Sequence, residues 1–167
     1  MAEGQTIILG VDPGTRVLGY GVVRRTDDRI EAIDYGVVRA SGKDLPKRLR
    51  KMFSGLSEVI RRHQPDCVVV EETFYGKNVK AAITMGEGRG VALLAAALEE
   101  VPVIEYSPKE VKKAVVGVGS AHKLQVQQMV RVNLNLDEAP QPEDAADALA
   151  LAICHCHRLK TDEIINR

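Results

Sequence analysis

The run Cys67 to Glu71, "CVVVE", constrains the fold of this chain more than any other stretch. It is apolar throughout until a terminal carboxylate, the pattern of a strand covered on both faces; a half-solvated strand would alternate apolar with polar positions. A helical pattern stands on either side of it. Upstream, Leu45, Leu49, Met52, Phe53, Leu56, Val59 and Ile60 recur at the spacing of one helix face, and Pro65 follows the end. Downstream, a long helical stretch runs roughly from Val79 to Glu100. A buried strand between two helices belongs to a layered α/β sheet.

The rest of the chain fills in that sheet. Thr6 to Val11, Gly19 to Arg25 and Arg29 to Val38 are rich in β-branched residues and are punctuated by Asp12-Pro13-Gly14 and Asp27-Asp28, which predicts an antiparallel meander. "VPVIEY", ending at Tyr106, reads as a fifth strand, and "SPKEVKKAVV" as a helix with Ser107 at its cap and Pro108 at its first position. "GVGS" is a turn, and His122 to Leu134 and Glu143 to Leu159 are helices. Gly86, Gly88 and Gly90 weaken the long helix but allow another backbone to approach it closely. A chain of 167 residues suits one core, so residues 1–167 are expected to form a single domain. A helix joins the meander to the fourth strand, which permits the first and fourth strands to be parallel neighbours. Asp12 and Glu71 would then emerge together at the carboxyl edge of the sheet, a usual place for a site in open α/β folds.

Charge is balanced but segregated. Twenty-three Lys and Arg offset twenty-three Asp and Glu, yet Lys43, Lys47, Arg48, Arg50, Lys51, Arg61 and Arg62 crowd one segment, mostly on the polar side of its helix, while Asp137, Glu138, Glu143, Asp144 and Asp147 crowd another. Such a chain can present a basic face to a polyanion while neutral overall. The N-terminal "MAEGQT" lacks a signal-peptide pattern, and the longest strictly apolar run, Val91 to Leu98, is below spanning length. A cytoplasmic protein with reduced thiols is expected, because Cys67, Cys154 and Cys156 are odd in number and lie in apolar segments. The cluster "CHCH", Cys154 to His157, is a poor zinc site, since residues two apart on a helix diverge and no second ligand pair exists.

The acids carry the chemistry. Asp144 and Asp147, three apart on a helix, share a face that continues into Leu151. A capping cluster explains Asp144 as well as a site does, but Asp147 heads an apolar stripe. Gathered with Asp12 and Glu71 they form a set of four. Carboxylates about 4 Å apart repel by roughly 4 kcal/mol at an effective dielectric near 20, a cost that protons or hard cations remove. All-oxygen ligands suit Mg²⁺ or Mn²⁺. A pair of such ions astride a phosphodiester activates water on one side and stabilises the leaving oxygen on the other.

Four stretches, "GVDPGTRVLGYGVV", "VVVEETFYGKN", "VKKAVVGVGSAHKLQVQQMV" and "DAADALALAICHCH", resemble in order and spacing the signatures of the RuvC family of bacterial Holliday-junction resolvases. The resemblance covers nearly the whole chain. It implies a ribonuclease H-like (integrase-superfamily) α/β fold, with a mixed five-stranded sheet and helices on both faces. It also implies a homodimer that resolves four-way DNA junctions by paired symmetric nicks in recombination and repair, beside the RuvA and RuvB branch-migration proteins. Carried onto this sequence, the catalytic metal positions are Asp12, Glu71, Asp144 and Asp147, holding Mg²⁺, or Mn²⁺ in its place, two ions per site. A histidine can replace the acid at the position of Asp144. Lys112 and Lys123 match lysines used beside the scissile phosphate. Phe74 matches an aromatic that contacts junction bases; Tyr75, Lys77 and Asn78 share its loop. Lys80, Arg16, Lys109 and Lys113 complete the expected DNA contacts.

Three rival readings fit parts of the sequence. The strand followed by "DPGTR" resembles the phosphate turn of actin-like nucleotide-binding domains, which need a second such domain. A RuvC-like nuclease of ribosomal RNA precursors shares the fold and the early Asp, with little use for "FYGKN". A non-enzymatic junction-binding protein would have to tolerate acids that repel DNA.

Overall fold

The computed structural model describes residues 4–27, 29–72 and 78–166. Phe74, Tyr75 and Lys77 lie outside the described residues. The sheet has five strands, β1 (Thr6–Asp12), β2 (Val17–Arg25), β3 (Ile30–Arg39), β4 (Cys67–Glu71) and β5 (Val103–Tyr106), in the order β3-β2-β1-β4-β5. β1, β2 and β3 form the expected antiparallel meander, and β4 runs parallel to both β1 and β5. The fold class is thus the mixed α/β sheet expected from the sequence.

Among the described residues five helices cover both faces: α1 (Leu45–His63), α2 (Val79–Leu98), α3 (Pro108–Val116), α4 (Lys123–Asn133) and α5 (Glu143–Ile165). Asp44 and Ser107 cap α1 and α3 through their side chains, each followed by proline in the first turn. Two apolar cores result, one on each side of the sheet. Leu9, Val11, Leu18, Val22, Val68 and Val70 meet α1 and α2 on one face; Ile8, Val23, Cys67 and Val69 meet α3, α4 and α5 on the other. The period of two along a strand assigns the acids. Asp12 follows Ile8 and Gly10, and Glu71 follows Cys67 and Val69, so both belong to the α5 face.

What lets α5 settle on that face is the lack of side chains beneath it. A methyl group on Gly10 would stand 1.9 Å from the carbonyl oxygen of Ala148, and one on Gly19 would stand 2.0 Å from that of Asp144. Only glycine permits backbone contact this close. The buried Ala145, Ala146, Ala148, Ala150 and Ala152 keep the opposing helix surface shallow. Gly88 performs the same service for α2, where a methyl would lie 3.0 Å from the backbone of Gly14, in the turn after Asp12. Gly86 and Gly90 differ: a methyl on either would meet nothing within 4 Å among the described residues.

Three expectations need correction. Helix α5 continues to Ile165, six residues past Leu159, because Arg25 at the end of β2 donates from Nη1 and Nη2 to the two carboxylate oxygens of Glu163 (2.9 and 2.6 Å) and so holds the extension. Arg48 does not join the polar side of α1. It is buried, with Nε donating to the carbonyl of Thr15 (3.2 Å) and Nη1 to that of Gly42 (3.0 Å). Finally, α2 as a whole, rather than only its strictly apolar end, is long and apolar enough by length and composition alone to cross a membrane. It packs on α1 through Ala92, Ala95 and Ala96 while Val79, Ile83, Leu94 and Leu98 stay exposed.

The cysteines behave as expected of core thiols. All three are free and buried, and burial pushes each thiol up to about 12. His155 shares a buried hydrogen bond with the Tyr106 hydroxyl (2.8 Å), and burial lowers its pKa, which keeps it neutral. His157 bonds through Nδ1 to the Ala114 carbonyl (2.9 Å).

Candidate active site

Register builds the site. Val11 is paired with Val70 across the parallel β1–β4 ladder. One residue further on, Asp12 and Glu71 stand side by side at the strand ends, where neighbouring backbones lie roughly 5 Å apart. Helix α5, lowered onto Gly10 and Gly19, brings Asp147 over them. A cleft of about 340 Å³ is lined by Asp12, Glu71 and Asp147 together with Lys112 from α3 and Lys123 from α4. Its apolar walls include Val111, Val126 and Leu151. Three acids and two lysines, named from five separate elements, therefore meet in one place.

The acids perturb one another. Burial, then the charges of Asp147, Asp144 and Glu71, push Asp12 up to about 7. Glu71 is raised by burial and by Asp147, with Lys112 opposing, and Asp147 is raised by burial, with Lys123 opposing. Asp144 does not line the cleft. It sits at the rim, half-buried, where its charge still reaches Asp12 and Asp147.

Lys123 is the cation already present. Its Nζ lies 2.9 Å from Glu143 Oε2 and 3.4 Å from Asp147 Oδ2, and the hydrogen bond to Glu143, followed by the charge of Asp147, raises its pKa against the burial that lowers it. Glu143 is a site residue that sequence reasoning missed, being indistinguishable there from an acid favouring a helix N-terminus. Gly10 and Gly19 were missed as well.

The donor set fits a hard divalent cation. Buried carboxylates with mutually raised pKa values are relieved by added positive charge. Among the described residues no three His, Cys, Asp or Glu side chains close into a preformed cage. Mg²⁺ does not require one, since it keeps several waters and is bound through a few carboxylates plus substrate phosphates. Zinc, by contrast, would draw on Cys or His, none of which lines the cleft, and Cys67, Cys154, His155 and Cys156 are buried elsewhere in the core.

The remaining expected DNA contacts divide. Arg16 and Lys80 are exposed near the turn after Asp12 and at the start of α2; Asn78 is exposed and caps α2, accepting from the Ala81 amide at 3.1 Å. Lys109 lies on α3 against Gly119. Lys113 points elsewhere, into a second groove with Tyr106, Glu110 and Arg158.

Comparison with known proteins gives a consistent result. The family described as crossover junction endodeoxyribonuclease RuvC matches residues 8–155. A relative of that name from Actinobacillus succinogenes is 49% identical over 75% of this chain and 66% of its own length. One from Photobacterium profundum is 50% identical over 75% of this chain and 72% of its own. The matched stretch thus spans about two thirds of these relatives. The structure of T. thermophilus RuvC in complex with Holliday junction substrate superposes with a TM-score of 0.87 at 36% identity, covering 94% of this chain and 96% of that one. A yeast mitochondrial Holliday junction resolvase, Ydc2, shares the fold with a TM-score of 0.70 at 13% identity. On these matches, and with the acidic cleft in the place that the sequence motifs require, the chain belongs to the RuvC family of crossover junction endodeoxyribonucleases.

Proposed function

We propose that this chain is a structure-selective endonuclease that resolves four-way DNA junctions by metal-dependent phosphodiester hydrolysis, in recombination and repair. The observation that carries the reading is the convergence of Asp12, Glu71 and Asp147 with Lys112 and Lys123 in one cleft. Asp12, Glu71 and Asp147 are the residues to hold Mg²⁺ or Mn²⁺, with Asp144 contributing from the rim. A pair of such ions supplies an activated water and charge stabilisation at the leaving oxygen. The chain's own part is to aim and balance charge. Lys123, poised between Glu143 and Asp147, and Lys112 on the opposing helix present donors to a phosphate entering the cleft. The apolar walls keep bulk water from screening these charges.

Residues 1–167 act as one nuclease unit in this reading. Phe74, with Tyr75, Lys77 and Asn78 in its loop, contacts the junction where bases unpair, and stacking on such a base contributes about 1–3 kcal/mol. Arg16, Lys80, Lys109 and Lys113 serve as phosphate contacts. Two nicks on opposing strands need two copies of the site, so the working form is a homodimer. Supporting this, Val79, Ile83, Gly86, Gly90 and Leu94 fall on one exposed face of α2 at helical spacing. In this reading the protein works in the cytoplasm, alongside RuvA and RuvB.

The deciding test incubates an immobile four-way junction with the protein and Mg²⁺, then with EDTA, with linear duplex as control. Symmetric nicking of the junction alone, abolished by EDTA, is expected. Equal cutting of linear duplex, or nicking that survives EDTA, would refute the reading. Sedimentation should show a dimer; intact cleavage by a monomer would remove the dimer from the account.

A further inference from the structure

The two lysines of the cleft serve its α5 side, but the larger concentration of positive charge lies around the other face of the sheet. Between Arg39 and Lys51 the sequence carries six cations and one acid, Asp44, in a chain whose net charge is zero. Five of them, Arg39, Lys43, Lys47, Arg50 and Lys51, are exposed, and the sixth is the buried Arg48. Among the described residues only Lys47 makes an ion pair, with Asp44 at 3.3 Å; Arg39, Lys43, Arg50 and Lys51 make none.

This segment is tied directly to the catalytic turn. The Ala40 amide donates to the Arg16 carbonyl at 2.9 Å, and Arg39 is the cross-strand partner of Val17. Arg48 reaches from α1 to both Thr15 and Gly42. The turn that begins at Asp12, the loop after β3 and the first turns of α1 therefore form one continuous surface at the carboxyl end of β1. Arg16, exposed within that turn, joins it to the cleft.

An ordinary solvated helix face does not explain this placement. The opening turns of a helix favour acids, because the backbone amides there carry partial positive charge. Helix α1 has no acid in its first turn and stacks Lys47, Arg50 and Lys51 in its opening turns instead. Beyond the Asp44 cap, the sequence loads this end of the helix with unfavourable positive charge, which points to a polyanion outside the chain.

Resting on the junction-nuclease reading, we propose that Arg16, Arg39, Lys43, Lys47, Arg50 and Lys51 form a track for the phosphate backbone of a duplex arm leaving the cleft. The contacts are to phosphates and so add affinity without sequence preference. Each neutralised phosphate contributes about 0.9 to the slope of log affinity against log salt.

The test compares the wild-type chain with the triple variant Lys43→Gln, Lys47→Gln, Lys51→Gln by measuring binding to a four-way junction across a salt series. With long arms, the variant should bind roughly 10- to 100-fold more weakly at moderate salt, and its salt slope should be shallower by about 2 to 3. With arms trimmed to a few base pairs, the two proteins should bind within about twofold of each other, since the track then has nothing to hold. The double variant Arg61→Gln, Arg62→Gln, at the far end of α1, should match wild type on both substrates. Melting temperature in the triple variant should be unchanged or higher, which excludes misfolding as the cause. Unaltered affinity and slope on long arms, or an equal loss on short ones, would overturn the track. If the triple variant shows the long-arm salt effect while the wild type nicks no junction, the track stands and the nuclease reading falls; if the wild type binds no junction at all, both fall.

Discussion

Replacing Gly19 with alanine tests how the fold aims the acids. The added methyl would stand 2.0 Å from the carbonyl oxygen of Asp144 and 2.4 Å from its carbonyl carbon. Ordinary contact begins near 3.4 Å, so helix and sheet must part by about 1.4 Å. The atom that must move is backbone, which cannot rotate away as a side chain could. It belongs to the helical turn that carries Asp144 and Asp147. A misplacement of about 1 Å at a reacting centre costs on the order of 100-fold in rate, and overpacking costs about 1–3 kcal/mol of stability. Gly21→Ala provides a graded comparison, since its methyl falls short of ordinary contact with Leu149 by about 0.7 Å. Single-turnover nicking of a saturated junction, measured at a temperature where urea titration shows each variant folded, should fall about 100-fold for Gly19→Ala and less for Gly21→Ala. Full rate and full stability in Gly19→Ala would refute the argument that glycine contact sets the position of Asp147.

Asp147→Asn should keep junction binding and lose nicking by at least about 100-fold, read by gel shift and cleavage side by side; wild-type rates in that variant would dismiss Asp147 as a metal-site residue. The same variant removes a like charge from Asp12, so without divalent cation its melting temperature should rise. Because the carboxyl of Asp12 is raised from 3.8 to about 7 on folding, the folded state holds a proton that the unfolded state releases. Stability contributed by that proton is full below about pH 4 and is lost as pH climbs through about 7, up to roughly 4 kcal/mol in all; Glu71 and Asp147 act in the same direction. Urea titrations without metal should therefore show lower stability at pH 8 than at pH 5, with Mg²⁺ restoring it at pH 8; a flat profile would contradict the shared burial of these acids. Arg48→Met should cost about 1–3 kcal/mol by leaving the Thr15 and Gly42 carbonyls without a donor, and an unchanged melting temperature would show that the clamp is dispensable.

Much of this architecture was legible because it rests on local patterns. The unbroken apolar run of β4 required cover on both faces, and the helix between β3 and β4 made β1 and β4 natural parallel neighbours. From there the meeting of Asp12 with Glu71 followed by register. Periodicity also placed Asp144 and Asp147 on one face, and the apolar stripe behind Asp147 favoured it, but pattern alone did not put Asp147 in the cleft and Asp144 at the rim. That distinction depends on where α5 crosses the sheet, which Gly10 and Gly19 set through tertiary contact. A glycine in a strand signals close approach without saying to what. Arg48 was misread because a cation on an otherwise polar helix side is ordinarily solvated; its burial depends on two carbonyls from distant loops. The end of α5 was placed too early for a similar reason, the Arg25–Glu163 pair being invisible to a search for apolar period.

The titration of Asp12 by NMR, with and without Mg²⁺, reaches the central claim most directly. Without divalent cation its carboxyl should titrate near 7, as burial and the three neighbouring acids require. Saturating Mg²⁺ should bring it down by at least about 1–3 pH units. An Asp12 that titrates near 3.8 and ignores Mg²⁺ would mean that these carboxylates neither crowd one another nor share a cation.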